Sequence, residues 1–317
     1  MWRESFDRIR HVLEAGEKVY QDLITVREPD MDIIVCPGHM GDTIWIAALA
    51  GEYIRQNDCD GVYYTVKSSQ SDLVMRFPDV AGTIVLEDSE LSCLCLYITV
   101  MNYWKHDHIT YANFRGDYVL RGYGACLVQG SSLPEGASML DMRKEMLGLT
   151  GDVHCSRILQ IGEGDNAELA ELFNKAVLLM PVSQSLETLP MSFWEMLAKE
   201  YTGRGYDVYT NYNGFDYEIM IEGTKPLTST PLELTEIGPY FAQVVAMRSG
   251  ACDLLAGTDS NLAIVYDTRF PDKEVELTRK ELPMENIFDL VDRERIYNYQ
   301  YLDGREVELA EAIIRKI

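Results

Sequence analysis

The sequence predicts an α/β fold built from two doubly wound domains. A chain of 317 residues is too long for one small core, so two domains of about 150 residues each are expected. Hydrophobic residues make up 47% of the chain and charged residues 25%, which is typical of a globular protein. In each half, short apolar runs alternate with amphipathic segments, and a polar loop follows the first apolar run. This alternation is typical of parallel strands connected by helices.

The N-terminal half begins with an amphipathic stretch that predicts a helix over 3–25. The apolar run DIIVC then predicts a buried strand over 32–36. A glycine-bearing loop and a helical pattern over 43–56 complete the first unit of a doubly wound domain. The remaining elements predicted in this half are strands over 61–66, 83–88 and 94–100 and helices over 70–77 and 138–150.

The C-terminal half repeats the alternation. Its predicted strands span 176–180, 206–210, 252–257 and 261–267, and its predicted helices span 191–202, 232–248 and 308–317. The polar, glycine-bearing segment 160–168 is the candidate linker. We therefore predict domains over 1–174 and 175–317.

Charge and hydropathy restrict the partners. The formal net charge of −23, from 51 acidic and 28 basic residues, repels nucleic acid and anionic lipid headgroups. The charged N-terminus lacks the apolar run of a signal peptide, and the longest apolar stretch, 91–101, is too short to cross a bilayer. We expect a cytoplasmic protein with no stable membrane insertion. Seven cysteines without a repeating spacing are expected to be reduced thiols.

The first candidate site is the loop after the strand over 32–36. Gly38, His39 and Gly41 lie in this loop, and glycines let a ligand approach the backbone closely. Asp42 follows near the start of a helix, where the helix dipole stabilises a negative charge. The alternative is that Asp42 only caps its own helix. The glycine spacing is not G-x-G-x-x-G, which disfavours a dinucleotide site.

Two serines form the second candidate. Ser183 and Ser185 lie between the first strand of the C-terminal half and its helix. Their hydroxyls and the backbone amides of the loop can bind a diphosphate or a nucleoside. An ordinary turn-rich loop would also contain serines at these positions.

The third candidate extends from Arg248 to Ser260. Arg248, with Ser249 and Gly250, has the groups to bind a phosphate through bidentate hydrogen bonds; the alternative is a glycine-capped helix C-terminus. Asp259 and Ser260 lie in a turn expected at the carboxyl end of a strand, the edge at which open α/β sheets bind ligands.

Taken together, these segments resemble the heptosyltransferase-like glycosyltransferase family 9. The resemblance rests on GHMGDTIWIAALAGEYIR, on LLMPVSQS with the following FWEMLAKEYTGRGYDVYTN, and on RSGACDLLAGTDSNLAIVYD, in that order. It covers roughly residues 31–60 and 176–268. It implies the GT-B fold, in which two doubly wound Rossmann-like domains face each other across a cleft. It also implies transfer of a hexose or heptose from a nucleotide-sugar donor to a saccharide or glycolipid acceptor, with no metal or other cofactor.

The resemblance implies roles for a few residues. Asp42 matches the acidic residue that deprotonates the acceptor hydroxyl, and Ser183 and Ser185 match the loop that contacts donor phosphate. Asp259 and Ser260 match the start of a C-terminal diphosphate loop. Arg248, Ser249 and Gly250 are candidates from this sequence alone.

The chain also departs from the family pattern. Asn261 stands where the family has a glycine, and no histidine follows it. A lysine of the family is absent, because Glu187 and Thr188 stand there. Two other classes of protein stay open. One is a non-catalytic nucleotide- or glycan-binding protein with this fold. The other is a nucleotide-dependent epimerase or dehydrogenase, which the absence of the G-x-G-x-x-G fingerprint disfavours.

Overall fold

The computed structural model divides into two compact units. One comprises Met1–Asp117, Val128–Leu133 and Leu140–Leu159, and the other comprises Tyr118–Leu127, Pro134–Met139 and Gln160–Ile317. The structure describes residues 2–113, 117–121, 125–129, 138–156, 166–183, 188–267, 275–277, 287, 290 and 294–317. The domain boundary after residue 174 stays a prediction.

The first unit contains a sheet with the strand order β3-β2-β1-β5-β4. Its elements are α1 (Trp2–Val26), β1 (Met31–Val35), α2 (Met40–Ala48), α3 (Ala50–Asn57), β2 (Gly61–Val66), α4 (Ser68–Val74), β3 (Val80–Val85), α5 (Asp88–Met101), β4 (Lys105–His106), β5 (Ile109–Tyr111) and α6 (Met139–Leu147). Strand β1 is buried on both faces and pairs in parallel with β2 and β5. The chain winds in one direction from β1 to β3 and then crosses to β5. The point between β1 and β5 is therefore the topological switch point.

Strands β6 (Asp117–Arg121) and β7 (Ala125–Gln129) pair in a separate sheet. The second unit contains a sheet with the strand order β10-β9-β8-β11-β12-β14-β13. Its elements are α7 (Ala167–Phe173), β8 (Ala176–Met180), α8 (Met191–Gly203), β9 (Asp207–Asn211), β10 (Lys225–Leu227), α9 (Pro231–Ile237), β11 (Gln243–Met247), α10 (Gly250–Ala256), β12 (Leu262–Tyr266), β13 (Glu276–Leu277), β14 (Ile296–Gln300) and α11 (Glu306–Ile314). All neighbours except β13 and β14 pair in parallel. Numbered within this unit, the six parallel strands have the order 3-2-1-4-5-6 of a Rossmann fold. Its switch point lies between β8 and β11.

The predicted strand over 94–100 is wrong, because this segment belongs to α5. Leu94 and Ile98, four residues apart on one helix face, pack into the core with Tyr20 and Leu23 of α1. The helix ends at Met101, and its C-cap Asn102 has a left-handed conformation with φ of 58°. A short apolar run does not distinguish a buried strand from a buried helix, and here packing against α1 decides.

Two predictions in the C-terminal half are also wrong. The segment over 232–248 is not one helix: α9 ends at Ile237, a 3-10 turn spans Gly238–Tyr240 and β11 follows. Pro239 lacks a backbone donor and cannot continue a helix, while the fully buried run QVVAM suits a central strand. The predicted strand over 252–257 forms most of α10. The helical segment predicted over 43–56 is two helices, α2 and α3, which are separated at Leu49. The other predicted elements are confirmed, with ends within three residues of those observed.

Candidate functional site

The loop after β1 lies at the switch point of the first unit. Gly38 approaches Asp42 so closely that a Cβ on Gly38 would lie 2.5 Å from the Asp42 Cβ, so only glycine fits without a shift. The His39 backbone N–H donates to Asp42 Oδ2 at 3.0 Å, while Gly41 lies in the first turn of α2. The N-cap of α2 is thus His39 and not Asp42, and one carboxylate oxygen of Asp42, at position N3, forms the capping-box bond to its own helix.

The other oxygen of Asp42 bonds to Arg143 of α6. Arg143 Nη2 donates to Asp42 Oδ1, and Arg143 Nη1 contacts Met146 Sδ at 3.1 Å. The Arg143 side chain is 5% exposed, whereas that of Asp42 is 36% exposed. In this ion pair the Arg143 guanidinium is buried, whereas the Asp42 carboxylate is accessible to solvent. The sequence analysis missed Arg143, because it lies 101 positions after Asp42 and in no recognisable motif.

A neutral thiol lies behind the same loop. Cys36 is fully buried, and its Sγ is 3.5 Å from Thr43 Oγ1. Burial raises the pKa of the Cys36 thiol to about 11, because it disfavours the charged thiolate. Cys36 is therefore a packing residue at neutral pH.

The switch point of the second unit brings together two of the predicted phosphate-binding segments. Ser183 follows β8, and Arg248, Ser249 and Gly250 follow β11, which pairs directly with β8. Ser183 is 7% exposed. Ser185 lies outside the described residues.

Arg248 precedes a helix and does not end one. Its guanidinium forms a bidentate ion pair with Asp253, with Nη1 to Oδ2 at 3.1 Å and Nη2 to Oδ1 at 2.9 Å. Nη1 also donates to the Ser249 carbonyl at 2.7 Å. The side chains of Arg248 and Asp253 are 5% and 3% exposed, so this is a buried ion pair. The helix C-terminus considered above is excluded, because Ser249 is the N-cap of α10.

Asp259 and Ser260 are not where the sequence analysis placed them. Because 252–257 is mostly helical, their turn leads into the amino end of β12, at the opposite edge of the sheet from Ser183 and Arg248. Ser260 Oγ bonds to Thr258 Oγ1 at 2.7 Å, and Asn261 Nδ2 donates to the Ala242 carbonyl at 2.8 Å. The expectation that Asp259 and Ser260 lie at the ligand-binding edge is wrong. A Ser-Gly pair does occupy that edge, as Ser249 and Gly250.

Comparison with known proteins finds a likeness of fold. No protein-family model matches the chain, and no curated protein sequence matches it. The E. coli ADP-heptose lps heptosyltransferase II structure matches over 90% of this chain and 99% of its own, with 13% identity and a TM-score of 0.57. A glycosyltransferase family 9 structure from Veillonella parvula matches over 90% and 95% of the two chains, with 12% identity and a TM-score of 0.56. The fold is that of glycosyltransferase family 9. E. coli heptosyltransferase WaaC with ADP matches over 90% and 98%, with 11% identity and a TM-score of 0.50.

These matches confirm the predicted GT-B fold class, in which each unit is a doubly wound α/β domain. Among the described residues, no helix combines the length and the apolar character needed to cross a membrane.

Proposed function

We propose that this chain is a cytoplasmic, metal-independent glycosyltransferase. It moves a sugar from a nucleoside-diphosphate donor to a hydroxyl of a saccharide or glycolipid acceptor. The observation that carries the proposal is that, in a GT-B fold, the switch points of both sheets present the candidate polar loops. Open α/β sheets bind ligands at this position. The solved structures of similar fold include heptosyltransferases, one of them with ADP.

Asp42 of the first unit is proposed as the base. As the acceptor oxygen bonds to the anomeric carbon, Asp42 takes the hydroxyl proton, and the bond from that carbon to the diphosphate oxygen breaks with its electron pair. The two oxygens of Asp42 bond to Arg143 and to the His39 N–H. Each oxygen has two lone pairs, so a further hydrogen bond can form. Arg143 fixes the orientation of the carboxylate.

The second unit is proposed to bind the donor. Ser183 follows β8, and Ser249 and Gly250 follow β11; the two hydroxyls and the Gly250 N–H are proposed to donate hydrogen bonds to the diphosphate. With a net charge of −23, the protein needs such local donors to hold an anion. These donors stabilise the charge that develops on the leaving diphosphate.

One observation favours a second candidate, a non-catalytic nucleotide- or glycan-binding protein of the same fold. Asp42 is already paired with Arg143, and Arg248 with Asp253. Asp42 and Arg248 thus each have an oppositely charged partner within the protein, and neither needs a substrate group to balance its charge. Release of nucleoside diphosphate from a donor sugar separates the enzyme from the binder.

Donor binding is tested by thermal unfolding with ADP, GDP, UDP and CDP. We expect one of them to raise the Tm, because a ligand that binds only the native state stabilises it by about 2.7 kcal/mol at 100 times its Kd. The matching nucleoside, which has no phosphate, is the control and should raise the Tm less than the nucleotide does. If none of the four nucleotides shifts the Tm, the proposed donor site is contradicted.

A further inference from the structure

Two aromatic rings lie exposed and parallel in the second unit. Phe215 and Tyr217 are 55% and 50% exposed. Their ring centroids are 5.5 Å apart, and their planes differ by 5°. The two stacked rings therefore present a contiguous aromatic surface to solvent.

The loop that carries the rings is fixed by hydrogen bonds. Glu218 Oε2 accepts the backbone N–H groups of Asn213 at 2.6 Å and of Phe215 at 3.1 Å. The Glu218 N–H donates to the Phe215 carbonyl at 2.9 Å. Asn213 Oδ1 accepts the Ser229 N–H at 3.0 Å, which ties the loop to the segment after β10. These hydrogen bonds hold the loop in one conformation, and a preorganised loop lowers the entropic cost of binding.

The loop also leaves the sheet at the edge where the candidate donor site lies. It follows β9, which pairs in parallel with β8, and Ser183 follows β8. Neighbouring strands are about 4.8 Å apart. Only strand β8 separates the switch point from β9. A ligand whose phosphates bind at the switch point can therefore reach the loop after β9.

We propose that Phe215 and Tyr217 form a stacking platform for the nucleobase of the donor. The proposal rests on the donor-binding function proposed above. Aromatic side chains stack on any base, because every base has a π-face. A nucleic-acid strand is disfavoured by the net charge of −23, and two rings are too small a surface for a stable protein interface of about 800 Å² per partner. A mononucleotide fits the rings and the location.

The test compares Phe215→Ala, Tyr217→Ala and the double variant by calorimetry. The probes are the nucleoside diphosphate that raises the parent Tm and inorganic pyrophosphate, which has no base. We expect each single variant to bind the nucleotide about tenfold more weakly and pyrophosphate as the parent does. Phe215→Tyr and Tyr217→Phe keep the rings and should keep the affinity. Leu172→Ala, at a residue 57% exposed in the same unit, is the matched control.

Each other outcome is informative. Unchanged nucleotide affinity in the double variant overturns the platform and leaves the donor site standing. An equal loss of affinity for the nucleotide and for pyrophosphate shows that the substitution damages the loop, and this result also overturns the platform. A parent protein that binds none of ADP, GDP, UDP and CDP overturns the donor site and the platform together.

Discussion

Asp42→Asn is expected to lower the rate of sugar transfer by about 10²–10⁴-fold, the range for loss of a general base. An amide oxygen can still accept the His39 N–H, so the cap at 3.0 Å can persist, but an amide does not take up the acceptor proton. The measurement is steady-state release of nucleoside diphosphate with donor and acceptor present. The loss should appear in kcat, because the proton moves in the transition state.

The Asp42 variant needs a control for stability, since it leaves the buried Arg143 without its carboxylate partner. The double variant Asp42→Asn with Arg143→Met removes both charges, so we expect it to recover the unfolding midpoint and remain inactive. Asp72→Asn, at an exposed position of α4, should keep both activity and stability. A folded Asp42→Asn protein with the parent kcat would show that Asp42 is not the base.

Arg248→Ala is expected to lower the free energy of unfolding by about 3–5 kcal/mol, as for other buried ion pairs that lose one partner. Asp253 would lose its Arg248 partner at a position only 3% exposed, where desolvation of a carboxylate is costly. Denaturant unfolding measures the change. Lys225→Ala breaks an ion pair of the same unit whose side chains are 57% and 58% exposed, and this control should change stability little.

A double variant separates the two roles of Arg248. Arg248→Met with Asp253→Leu removes both charges and is expected to be nearly as stable as the parent. If Arg248 contacts the diphosphate, this stable variant binds nucleoside diphosphate more weakly by about 2 kcal/mol. Unchanged affinity would make Arg248 a structural residue only. Equal stability of the single and double variants would contradict the buried-pair account.

The fold class was predictable because buried parallel strands are short apolar runs followed by polar loops, as at Ala176–Met180. Two of the errors came from apolar runs of similar length that form helices, over 94–100 and 252–257. The third was strand β11, which was taken for the end of a helix. The run over 252–257 lies mostly in α10, which begins at Gly250, and the Arg248–Asp253 pair spans the first turn of this helix. Periodicity over so few residues carries too little information to show this.

The site was predictable where its determinants are local. The glycine spacing and Asp42 lie within five residues of each other, so the loop after β1 was found. Arg143 comes from a distant helix, and only the fold brings it to Asp42. The misplacement of Asp259 and Ser260 follows directly from the helix taken for a strand. Phe215 and Tyr217 belong to no motif, and only their exposure and parallel rings single them out.

Hydrogen exchange with and without the stabilising nucleoside diphosphate tests most directly whether the donor binds at the switch point of the second unit. We expect slower exchange at the backbone amides of Ser249–Asp253, after β11, and of Asn213–Glu218, after β9. The turn at 258–261, at the opposite sheet edge, should be unaffected. Protection confined to that turn, or confined to the first unit, would contradict the account.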